Sequence, residues 1–195
     1  MATSIPRGEY VPTADQRCVM RASWTDYEAL DAMRGESARP RITYLDGAVE
    51  LMSPSTDHEQ IKSQLGALLE SYCNAQRIKI KPVGSWTIKD RTVDAALEPD
   101  ECYWIGSAPK ARPDLAIEVV WTSGGLDKLE VYRRLAVAEV WFWIDRVISV
   151  HVLGPEGYEA RVRSEQFPRL DLAVFAELAV LADFNEAIDR ARALP

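Results

Sequence analysis

Asp46-Gly47, set between RITYL (41–45) and AVELM (48–52), constrains this chain more than any other feature. An Asp-Gly pair between two apolar-rich runs closes a two-residue β-hairpin through a type I′ turn, whose central residues both need positive φ. That turn fixes the register. Leu45 opposes Ala48, Tyr44 opposes Val49, and Thr43 opposes Glu50. Alternation then gives a core face of Ile42, Tyr44, Val49 and Leu51, and a mixed face of Arg41, Thr43, Ala48, Glu50 and Met52.

Helix signals flank the hairpin. Ser23 with Asp26 reads as an N-cap for a helix through Met33 that stops at Gly35. After Ser53-Pro54, Thr56-x-x-Glu59 reads as a capping box opening a helix to about Gln76. His58, Ile61, Leu65, Leu68 and Tyr72 form one face of it. Strand-like runs follow at 78–81, 85–89, 100–105 and 115–121. A helix spans about Leu126 to Ala138. A second hairpin, VWFWI and VISVHVL, turns at Asp145-Arg146, and YEARVR follows the Gly154–Gly157 turn. A last helix covers Asp183 to Leu194. The pattern predicts an α+β fold with mixed strands and helices on at least one face. Residues 1–22, with no clear period, read as an irregular arm, and 23–195 as one domain.

The chain has 195 residues and a formal net charge of −7, which argues against a generic electrostatic grip on nucleic acid. Its three cysteines, Cys18, Cys73 and Cys102, contain no CxxC, so neither a disulfide framework nor a thiolate zinc site is expected. With no run of about 18 apolar residues and no leader-like start, no membrane segment is expected, and the chain reads as cytoplasmic.

Chemistry concentrates in a few acids. Glu118 interrupts LAIEVVW (115–121), a near-continuous apolar strand, where an unpaired carboxylate is costly. It needs a cation, or else an ion pair with a structural Arg or Lys. Pro99-Asp100 and Pro113-Asp114 compete to supply its partner. Asp114 and Glu118 share one strand, about 13 Å apart, too far to share an ion. Asp100 begins a separate strand that a tight connection can lay beside Glu118, so Asp100 is preferred. Two or three carboxylates at strand ends suit Mg²⁺, which keeps several waters.

These residues resemble a known family. Glu118, Val119 and Val120 after Pro99-Asp100 resemble the PD-(D/E)XK nuclease signature, with Val120 where lysine is expected. From about Tyr27 to Leu172 the chain resembles the bacterial Uma-type restriction-endonuclease-like proteins. The blocks LDGAVELMSPS, EPDECYWI, PDLAIEVV, DKLEVYRRL and VAEVWFWID carry the likeness. Trp121-Thr122 departs from it, standing where a Ser-Pro pair is usual. The resemblance implies a restriction-endonuclease-like core, a mixed β-sheet flanked by helices in α/β/α-like layers with N-terminal hairpin additions. It implies Glu50, Asp100 and Glu118 as ligands of Mg²⁺ or Mn²⁺, Lys128 as the displaced catalytic lysine, and His58 nearby. Tyr132 lies one turn beyond Lys128, close enough to support it.

Read from the residues alone, Glu50 also suits an ion pair with Arg41, with Glu59 as a rival third acid. His58 suits a core histidine, and Lys128 a solvated helix lysine. Two functions follow as expectations. One is a Mg²⁺-dependent endonuclease that cleaves phosphodiesters, in DNA, with metal-activated water. The other is an inactive nuclease-fold module for binding or dimerisation, favoured by the acidic charge and the aromatic strands. Hydrolysis of a small phosphoester is a third. A homodimer is expected.

Overall fold

The structure, a computed structural model, describes residues 14–107, 109–121 and 124–195. Among these residues there are two sheets and five α-helices.

The hairpin organises the first sheet. β2 (Arg41–Leu45) and β3 (Ala48–Ser53) pair with Leu45 opposite Ala48 and Thr43 opposite Glu50, the register the turn predicts. Asp46 and Gly47 both adopt positive φ, at 46° and 76°. The second face of the hairpin is not a mixed surface, because Arg41, Thr43, Glu50 and Met52 are all buried. The start of α2 (Thr56–Ala75) and the loop before α3 (Lys128–Arg134) engage it through Glu59 and Leu126.

The expected irregular arm needs a second correction. Residues 16–21 form β1 (Gln16–Arg21), which pairs antiparallel with β3 and sets Val19 opposite Glu50. As an edge strand with most side chains exposed, β1 carries no alternation to betray it. The rest of that arm, residues 1–13, lies outside the described residues. α1 (Trp24–Arg34) starts at the Ser23–Asp26 capping box and ends at Gly35, as read from sequence. Its Trp24 and Tyr27 pack against Tyr44. β5 (Ile88–Asp90) and β6 (Ala95–Leu97) complete the order β1-β3-β2-β6-β5.

The second sheet runs β11-β10-β9-β8-β7-β4. β4 is Ile80–Pro82, β7 Glu101–Ile105, β8 Leu115–Val119, β9 Glu139–Ile144, β10 Val147–Gly154 and β11 Gly157–Arg161. β8 and β9 are parallel, joined by the α3 crossover, and the other pairs are antiparallel. The sheet is therefore mixed, as expected. α2, α4 (Leu172–Leu178) and α5 (Phe184–Arg192) cover one face, with Leu65, Leu68 and Phe175 against Ile117, Val119 and Trp141. α3 and the β5–β6 edge of the first sheet cover the other, where Val131, Tyr132 and Leu97 meet Ala116, Cys102 and Val140.

Some boundaries shift. α2 is capped by Ser55, one residue before the expected Thr56, with the hydroxyl accepting from the His58 N–H. α3 ends at Arg134, short of Ala138, because Ala136 turns to a φ of 54°. α4 was not signalled at all. It is two turns long, too short to display a helical period.

Candidate functional site

All five residues of β8 are buried. Leu115, Ile117 and Val119 face α2 and α4, whereas Ala116 and Glu118 face α3. The sequence alternates small and apolar there, so Glu118 is carried into the interior with no exposed surface. Lys128 Nζ donates to Glu118 Oε2 at 2.5 Å, and the Tyr132 hydroxyl donates to Oε1. Lys128 and Tyr132 stand four apart on α3, the spacing that puts two helix residues on one face. Burial, then the adjacent Glu118 charge, pushes the Tyr132 phenol well above its ordinary pKa, so it remains a donor.

Asp100 sits where the chain passes from β6 of one sheet to β7 of the other. Glu101 opposes Ile117, and one more step in that register sets Asp100 opposite Glu118. Asp100 Oδ2 accepts from the Val119 N–H at 2.6 Å, which ties the two acid positions together. Its Oδ1 meets His58 Nε2 at 3.0 Å and the Arg41 guanidinium. His58 comes from the first turn of α2, and its other nitrogen lies 3.0 Å from Asp15 Oδ2. The imidazole thus bridges two buried carboxylates. Burial alone would raise the Asp15 carboxyl. The hydrogen bonds from His58 and from the Ser55 N–H outweigh burial and hold it at about 2.

Glu50, from β3, is buried beside this chain of contacts. Its Oε1 accepts from Arg17 Nη1 at 2.7 Å, and its Oε2 from the Leu126 N–H at 2.7 Å. Arg17 also lies 3.6 Å from Asp15. The loop can approach so closely because position 125 is glycine, at a φ of 100°. A Cβ there would collide with the Glu50 carboxylate. The alternative Glu50–Arg41 pair is not formed, because Arg41 turns to Glu59 and Asp100 instead. A cavity of about 240 Å³ opens beside these groups, lined by Arg17, Lys128, Gly124, Leu126, Val119 and Phe142 among others.

The residues singled out from sequence therefore meet along one connected path. It runs from Glu50 through Arg17, Asp15 and His58 to Asp100, then through the Val119 amide to the strand of Glu118, and from Glu118 to Lys128 on α3. Among the described residues no three His, Cys, Asp or Glu side chains are grouped to hold a metal ion. Asp114, the rival acid, stands at the far end of β8 and takes Lys110 and the Ile105 N–H. Glu59 takes Arg41 and Lys62. Sequence reasoning missed Asp15, Arg17 and the role of Arg41. For Arg41, the strict register of the hairpin was the available signal, since it puts Arg41 on the same face as Glu50.

Asp100 and Glu118 nevertheless fit a hard cation in donor chemistry. They are buried carboxylates on adjacent strands, and Mg²⁺ is commonly held by one or two carboxylates plus water and substrate phosphate.

Comparison with known proteins adds one decisive match. The Uma2 family model, described as "Putative restriction endonuclease", covers residues 24–183. The chain belongs to the Uma2 family. The Uma2 match spans every element from α1 to α4, including all five site residues expected from sequence. Among solved structures, the chain is similar to a "putative nuclease belonging to DUF820" from Anabaena variabilis. Identity is 16%, with 82% of this chain and 96% of that one covered and a TM-score of 0.49. No curated protein matches in a sequence comparison. Among the described residues, no helix is long and apolar enough to cross a membrane.

Proposed function

We propose that this Uma2 member is a Mg²⁺-dependent endonuclease that hydrolyses phosphodiester bonds in DNA. The observation that carries the reading is the placement of Glu118, a buried acid in an apolar strand, between Asp100 across the strand and Lys128 on α3. Membership of a family described as restriction endonuclease supports the same chemistry.

In this reading Asp100 and Glu118 hold the cation, with Glu50 joining them when Arg17 releases it. Bound Mg²⁺ would polarise the phosphate and lower the pKa of a coordinated water. The chain's own groups do the rest. Lys128, displaced from Glu118, offers its ammonium to the negative charge that grows on the phosphate. Tyr132 keeps its hydrogen bond and holds Glu118 in place. His58, anchored by Asp15, fixes the rotamer of Asp100.

The alternative is an inactive binding or dimerising module, which the acidic charge supports. The deciding experiment incubates supercoiled DNA with the protein and Mg²⁺ or Mn²⁺. Nicking that EDTA stops, and that Asp100→Asn and Glu118→Gln both lose, is the expected result. No cleavage under any metal, with a stable dimer by light scattering, would favour the module.

A further inference from the structure

The family match begins at residue 24, so β1 lies outside it. Yet β1 delivers Arg17 to the wall of the cavity of about 240 Å³ that Lys128 also lines. Arg17 is a nearly buried cation, with its side chain 14% exposed. Among the described residues its guanidinium donates once, to Glu50, and it lies 3.6 Å from Asp15. Its Nε N–H has no partner among the described residues. A guanidinium carries five N–H donors, and a buried one that uses so few has spare capacity for acceptor oxygens.

The rest of the wall suits one kind of acceptor. Val119, Leu126 and Phe142 give it an apolar floor. Among the described residues that line it, the carboxylate is Asp127, which is committed to capping α3 through the Glu130 N–H. A planar fork held by Glu50 and a compact ammonium held by Glu118 thus line one space, a pairing that matches the oxygens of a phosphate group once either acid is exchanged.

We infer that Arg17 is a phosphate-positioning residue, which swaps Glu50 for a non-bridging oxygen of the nucleic-acid phosphodiester held beside Lys128. The inference rests on the nuclease reading for its substrate class, but its primary test does not need turnover. The same exchange frees Glu50, so the arginine couples phosphate arrival to release of an acid.

The test is calorimetric titration of the full chain, in Mg²⁺ buffer, with inorganic phosphate in one arm and a short DNA oligonucleotide in the other. Arg17→Gln alone strands a buried Glu50, so Arg17→Gln/Glu50→Gln is the second variant, checked for folding by its melting curve. Arg21→Gln, an exposed arginine on the same strand, is the control. Both Arg17 variants should bind the oligonucleotide about 10-fold or more weakly, as expected for one lost charge-assisted pair. Arg21→Gln should bind like the parent, and Arg17→Lys should recover part of the loss. In cleavage, Arg17→Lys, which leaves Glu50 in place, should raise KM more than it lowers kcat. Unchanged oligonucleotide affinity in the folded double variant would overturn the inference, and so would a parent protein that binds phosphate but not the oligonucleotide. A parent that binds the oligonucleotide through Arg17 but never cleaves would instead sink the nuclease reading and leave this one standing.

Discussion

Lys128 Nζ stands 2.5 Å from Glu118 Oε2, and the Tyr132 hydroxyl of the same helix donates to the other Glu118 oxygen. Glu118 is fully buried and Lys128 only 13% exposed, so neither charge has free access to water. Breaking such a pair on one side is costly, because the remaining charge is stranded.

Lys128→Met should therefore lower the unfolding free energy by about 3 kcal/mol. Adding Glu118→Gln should return most of that loss, since a neutral amide still accepts from Tyr132. Urea denaturation of the two single variants and the double variant measures the coupling. Additive losses would mean the pair does not act as a unit.

Gly125→Ala should destabilise by about 3 kcal/mol, from a Cβ driven into Glu50 and a backbone held at positive φ. Glu50 is held by Arg17, so swinging it away costs that buried ion pair. Gly84→Ala shares the positive φ but meets nothing nearby, so the difference between the two melting curves isolates the steric part.

Stability should fall in acid through Asp15. Its carboxyl is held at about 2 in the folded protein, below its ordinary value of 3.8. A depressed carboxyl adds stability that is complete above the unfolded value and is lost as pH drops through the folded one. The window is thus about pH 4 to 2, and the contribution about 2 kcal/mol. Asp15→Asn should flatten the stability curve across that window in denaturation at successive pH values. An unchanged slope would remove the His58–Asp15 contact from the account.

Thiol reactivity gives an independent check of the fold. Burial pushes Cys73 and Cys102 up to about 12, whereas Cys18 is exposed on β1. Native protein at pH 8 should react with Ellman's reagent at one thiol, and unfolded protein at all three.

Local signals carried the hairpin and the helix starts. Asp46-Gly47 leaves one register, and Ser23 with Asp26 leaves one cap, so residues a few positions apart decide those elements. The acids followed from the same logic, because a charge inside LAIEVVW must have a partner wherever the chain goes. What the sequence left open was which partner. Glu50 meets Arg17 rather than Arg41 because β1 joins the sheet on its outer edge, and nothing within QRCVMR announces a strand. His58 lies between Asp15 and Asp100, from segments 43 and 42 residues away, a bridge that no local spacing encodes.

In the proposed reading, Asp100 and Glu118 hold a divalent cation that displaces Lys128. Anomalous diffraction from crystals grown with Mn²⁺ tests it most directly. The account predicts one peak within about 2.2 Å of an oxygen from each acid, with Lys128 swung away from Glu118. Density with no ion there, and Lys128 still on Glu118 at saturating Mn²⁺, would contradict it.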